Sequence, residues 1–285
     1  MSLLDKFLEK RAGNAKAEMP FTEHIEALRW HIIRSLIVLI VASVFVFINI
    51  DWIFDRIILG PASPDFIAYK WFCGLGKLIH VDALCMDVKA VQFQNLKLSG
   101  QFMMSFSSSF MIGFIVTFPY IFWEIWKFVK PALKERELKS ARGIVAWSSL
   151  LFFLGVSFSY YIIAPFTINF FANYQLSPKF ENIITIDSYY DTMSDLVFGM
   201  GLVFQLPIIV FILAKAGILT AAFMKDKRRF AIVIIMVLAA VITPPDWFSI
   251  FLVAIPLAAL YEVSIVITAR LNKRAKTKED EVLPW

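Results

Sequence analysis

Six long apolar stretches constrain this chain more than any other feature. They fall at about residues 31–50, 102–126, 143–163, 192–214, 230–242 and 247–269. A helix needs about 20 apolar residues, rising 1.5 Å each, to cross ~30 Å of hydrocarbon. Inside lipid, backbone polar groups must be satisfied within the segment, so such runs are read as helices. The expected fold is therefore an all-α integral membrane protein, one polytopic domain over residues 1–285 with six transmembrane helices. The second run carries Pro119 near its end, which predicts a break there. The fifth run has only 13 residues and covers ~20 Å. Either Arg228 and Arg229 snorkel and the helix extends beyond the run, or the helix is short and the bilayer thins around it. A short sixth helix is an allowed variant of the same layout.

Composition agrees, with 59% hydrophobic and 18% charged residues against ~45–50% and ~25% in soluble domains. That excludes an ordinary cytosolic enzyme and a disordered chain, and two cysteines exclude a disulfide scaffold. The first 30 residues are polar and carry four Glu, and the first apolar run starts late without a small-residue cleavage site, which argues against a signal peptide.

The net charge of +5 is explained by topology, not by a nucleic-acid ligand. Of 28 Lys and Arg, 22 fall in residues 1–34, 127–142, 215–229 and from 270 onward. These segments share one side of a six-span layout. The positive-inside rule then places both termini in the cytoplasm. The tail after Leu271 reads as a solvated end whose Lys and Arg touch anionic lipid. The outer segment 51–101 is long enough to fold over something and holds Cys73 and Cys85, either as two free thiols or as a disulfide.

Catalytic patterns are missing. His24, His31 and His80 are scattered, and there is no H-E-x-x-H, C-x-x-C, G-x-S-x-G or Walker loop. No catalytic residue, metal site or cofactor is expected. A six-span small-molecule or ion transporter is the alternative reading. It would need a midplane site, and offers only Gln205 with Pro207, Asp191 and Asp195, and Glu262.

The inner face carries more information. In FTEHIEALRWHIIRS (21–35), Phe21, Ile25, Leu28 and Ile32 form one helical stripe, as an interfacial helix would. Glu23 and Glu26 are three apart, and Arg29 follows Glu26 at the same interval, so an internal Glu–Arg pair is one reading. In KFVKPALKEREL (127–138), Pro131 opens a turn and Glu135 and Glu137 stand among Lys and Arg. Such a carboxylate is kept ionised and can accept a guanidinium through paired hydrogen bonds.

Three motifs in order give the chain a family likeness. They are F-x-E-H-x-x-x-L-R at 21–29, W-K-F-x-x-P-A-L-x-x-x-E at 126–137, and F-x-x-P with T-P-P-D at 204–207 and 243–246. Together they resemble the TatC family, the core subunit of the twin-arginine protein translocase, from about Pro20 to Arg270. The resemblance implies a multi-pass protein of the bacterial cytoplasmic membrane that binds twin-arginine signal peptides. It also implies TatA- and TatB-type single-span partners, self-association, and export of folded cargo at the expense of the proton-motive force. Glu137 corresponds to the family glutamate after P-A-L, with Phe128 and Pro131 in the same loop. The second receptor glutamate falls where this chain has Ala27, leaving Glu26 or Glu23 to supply the charge. A one-residue shift turns a helical side chain by ~100°. Gln205 stands where many members have glutamate and is expected, with Pro207, to contact a partner helix. Pro244, Pro245 and Asp246 are expected to form a structural turn.

Overall fold

The chain from Phe21 to Ile48 forms one helix, α1, of 28 residues, ~42 Å long. A computed structural model describes residues 21–82, 85, 92–130, 143–179, 182–244 and 246–282, with side chains between Glu26 and Asn272. The separate interfacial helix expected over 21–35 is not formed. No Gly or Pro interrupts 21–48, so the stripe merges in phase with the first apolar run.

Helix α2 spans Ile67–Ile79 in the segment between the first two spans. The second span is α3, Gly100–Val129. Pro119 lies inside it without ending it, since a proline removes a single helical bond and packed neighbours hold the rest. The third span, α4, covers Ile144–Asn173 with a π turn over Ser159–Ile163. The fourth consists of α5, Ile186–Val203, and α6, Leu206–Lys215, separated at Phe204 and Gln205. Helix α7 covers Ala221–Asp226, α8 Arg228–Ile242 and α9 Trp247–Val282.

Five of these segments are long and apolar enough to cross a membrane: Glu26–Ile48, Gly100–Val129, Ile144–Asn173, Ile186–Lys215 and Trp247–Asn272. Helix α8 is the short one, at 15 residues or ~22 Å. The sixth helix is not short; α9 continues for 36 residues into the tail read from sequence as a solvated end.

Helices α1 and α3 run antiparallel. His31 meets Glu124 near one end of the pair, and Ser43 faces Gly113 further along. A Cβ at Gly113 would come within 3.0 Å of the Ser43 backbone nitrogen, so only glycine permits this approach. The core centres on α5, where Leu196 and Met200 are fully buried with Ile163, Phe152, Val253 and Leu257. The Phe118 and Phe152 rings stack at 3.7 Å between α3 and α4. Outward-facing α1 positions such as Ile37, Val41, Phe45 and Ile48 are exposed, as a lipid-facing surface requires.

Between α1 and α2 the backbone turns through π and 3₁₀ segments at Phe54–Ile58 and Gly60–Ala62. Three tyrosines bind it there. The hydroxyls of Tyr160, Tyr189 and Tyr69 donate to the carbonyls of Ile57, Ile58 and Pro61, each at 2.6 Å. Carbonyls released from regular helical bonding need such donors; those of Ile58 and Pro61 are buried. Burial pushes Tyr69 up to about 12. Helix α2 ends on His80 in the left-handed region, φ 56°, and the returning chain closes a Cys73–Cys85 disulfide. Of the two states open from sequence, the structure has the bonded one. Nearby, Phe93–Gln94 pairs in parallel with Ile184–Thr185 as β1 and β2.

Candidate functional site

Of the residues singled out at the basic end, the antiparallel α1–α3 pair brings Phe128 to the His31 turn of α1. The first half of α1, which carries the F-x-E-H motif at its start, meets the last turns of α3 through His31. Glu26 and Arg29 are both exposed there, and the Glu–Arg pair considered from sequence is not formed between them. Glu23 lies in the first turns of α1, its side chain outside the described part. Ala27 and His31 are four apart and share a face. Glu26 is turned ~100° from Ala27, so it does not occupy the Ala27 direction. Pro131 and Glu137 lie outside the described residues. Phe128, in the last turn of α3, meets the His31 ring edge-on at 6.3 Å.

The chemistry at this end includes a residue that the sequence reading missed. The Glu124 side chain is 1% exposed and lies between α1 and α3. His31 Nδ1 is 2.5 Å from its Oε2, and Lys127 Nζ is 3.2 Å from its Oε1. The Lys127 ammonium also stands 3.2 Å from the centre of the Trp123 ring. A buried carboxylate is tolerated only with partners of this kind. The sequence did hold a signal. Glu124 is the one charged residue inside the 102–126 run, and a charge within a span demands a partner.

Gln205 lies at the break between α5 and α6, 7% exposed. Its Oε1 accepts from Ser148 Oγ at 2.5 Å, and its Nε2 donates to the Ser148 carbonyl at 3.1 Å. The amide is engaged within the chain, which leaves one lone pair on Oε1 and one N–H on Nε2 for a contact to a partner helix. Pro207 sits in the first turn of α6, where a missing N–H costs nothing. Ser148→Ala is expected to destabilise the protein by ~1–3 kcal/mol, because Gln205 Oε1 loses its donor in a buried site. Thermal unfolding in detergent measures this, and the double variant Ser148→Ala, Gln205→Leu should recover most of the loss.

The T-P-P-D turn is built as a helix stop and start. Thr243 ends α8, with its hydroxyl donating to the Ala239 carbonyl at 2.9 Å. Asp246 caps α9, its Oδ1 accepting from the Ser249 N–H at 2.7 Å. Pro244 supplies the carbonyl for the Asp246 N–H, also at 2.7 Å, and Pro245 lies outside the described residues. At the other end of the α8–α9 pair, Arg228 and Glu262 form a two-bond ion pair, both contacts 2.8 Å. Asp191 and Asp195 are exposed on α5. Among the described residues, no group of three or more His, Cys, Asp or Glu could hold a metal ion.

Comparison with known proteins points one way. A family model described as Sec-independent protein translocase protein (TatC) matches residues 23–256. The chain is 41% identical over 263 residues to the Sec-independent protein translocase protein TatC of Blattabacterium sp. subsp. Periplaneta americana, covering 92% of this chain and 99% of that one. It is 29% identical over 265 residues to the protein of the same name from Aquifex aeolicus, covering 93% and 99%. A crystal structure of the twin-arginine translocase receptor TatC in DDM superposes with a TM-score of 0.69 at 28% identity, covering 86% of this chain and 99% of that one.

Proposed function

The chain belongs to the TatC family and is a multi-pass receptor subunit of the Sec-independent protein translocase; we propose that it reads two consecutive arginines of a signal peptide at its basic end. The observation that carries this reading is the antiparallel α1–α3 pair. It brings His31, just past the motif at 21–29, beside Phe128, after which the sequence runs on to Pro131 and Glu137. Glu137 is the principal acceptor. Glu26 and Glu23 add negative charge nearby, with Arg29 on the same stretch of α1. Arginine cannot be deprotonated and offers a planar fork, so a carboxylate set among basic residues selects it over lysine by geometry more than by charge.

In this reading both termini are cytoplasmic and the protein resides in the bacterial cytoplasmic membrane. Its partners are TatA- and TatB-type single-span proteins, further copies of itself, and surrounding lipid. Cargo crosses folded, driven by the proton-motive force, without chemical alteration, so the chain is not an enzyme and needs neither cofactor nor nucleic acid. A small-molecule or ion transporter finds no support among the relatives. The test is complementation: a strain lacking its own TatC and supplied with this chain and its TatA- and TatB-type partners should export a twin-arginine reporter. It should not export the twin-lysine version. Export of both, or of neither with the complex assembled, would overturn the reading.

A further inference from the structure

We propose that the Trp123 ring face and the Glu124 carboxylate form a seat for one arginine guanidinium of the signal peptide, occupied in the free protein by the chain's own Lys127. The inference rests on the receptor reading above and adds a specific acceptor to it. The Lys127 ammonium is 3.2 Å from Glu124 Oε1 and 3.2 Å from the Trp123 ring centre. It is held by the two kinds of group that bind cations, a carboxylate and an aromatic face.

The seat has a fixed floor and an open mouth. The Glu124 side chain is 1% exposed and anchored from behind by His31 on Oε2. Lys127 and Trp123 are 36% and 42% exposed. An incoming cation can therefore reach the mouth while the carboxylate stays in place. Each carboxylate oxygen accepts more than one hydrogen bond, so a guanidinium can take Oε1 and still share Oε2 with His31.

A guanidinium fits this seat better than the resident ammonium. It forms two parallel bonds to a carboxylate, stacks flat on an indole and is weakly hydrated, whereas an ammonium is a compact, strongly hydrated point charge. Displaced Lys127 swings toward water, where its hydration compensates for the lost contacts. Lys127 is thus an internal competitor that an arginine can displace more readily than a lysine.

The test measures binding of a fluorescent twin-arginine signal peptide, and its twin-lysine counterpart, to the full chain in lipid nanodiscs. Lys127→Ala should tighten the arginine peptide about three- to tenfold by removing the competitor, and Glu124→Gln should weaken it about tenfold and reduce the preference over lysine. A purely structural role for Lys127 predicts weaker or unchanged binding in Lys127→Ala, and that result overturns the proposal. Unchanged binding in a folded Glu124→Gln protein overturns it as well. Should Glu124→Gln fail to fold, Lys127→Ala alone decides. If wild type shows no arginine-dependent binding, the receptor reading itself fails; if it binds and neither variant shifts, only the seat is lost.

Discussion

Replacing Glu137 with alanine is expected to reduce export of a twin-arginine reporter to background when the variant is the only TatC-type chain in the cell. In the sequence Glu137 stands with Glu135 among Lys130, Lys134, Arg136 and Lys139, a net positive stretch that favours a carboxylate and would otherwise repel arginines. Once the Glu137 carboxylate is gone, only Glu135 in that stretch offsets the repulsion. A hydrogen bond to a charged group contributes ~1.5–3 kcal/mol, which corresponds to an affinity loss of about 10- to 150-fold. Glu137→Lys should be worse than Glu137→Ala, because it adds a like charge. Glu137→Gln keeps the shape and one acceptor and should retain weak binding. The measurements are reporter export, membrane abundance of each variant by immunoblot, and the Kd of a twin-arginine peptide. Wild-type export from Glu137→Ala at equal abundance would move the arginine site away from this segment.

What could be read in the sequence depended on whether a feature was local. Apolar runs located the spans, since hydrophobic thickness acts on each segment independently. Helix ends were less legible. Helix α5 begins at Ile186, ahead of the apolar run at 192, because its first turns are polar and capped by Thr185, which accepts from the Ser188 N–H. The interfacial stripe at 21–35 has real helical spacing, but spacing cannot tell a helix lying on the membrane from the first turns of one entering it. The site divided along the same line. Phe128 and Glu137 are marked by motif, whereas the His31–Glu124 pair joins residues 93 apart. Only the helix pairing joins them, although each is a polar group at or within an apolar run and so calls for a partner. Gln205 was legible as a polar residue in a span. Its partner, Ser148, was not, because serines in helices usually satisfy themselves on the preceding turn, as Ser149 does on the Val145 carbonyl.

Lengthening α8 should separate assembly from transport. At 15 residues this helix covers ~22 Å, short of ~30 Å of hydrocarbon, and read as the fifth span it requires thinner lipid beside it. Its length is fixed from both ends, by the Thr243–Asp246 turn and by Arg228 on Glu262. Seven apolar residues inserted after Ile235 add ~10 Å and leave the following side chains within ~20° of their original direction. The α8 face toward α9 is therefore kept while the shortfall disappears. The lengthened chain should insert and bind a twin-arginine peptide normally, yet export close to background, because folded cargo would meet bilayer of full thickness. Insertion also draws Arg228 away from Glu262, so Arg228→Ala with Glu262→Ala is the control. That pair is about half exposed and contributes only ~0.2–1 kcal/mol, so the control should export nearly as wild type. Normal export from the lengthened chain would leave the short helix with a packing role alone.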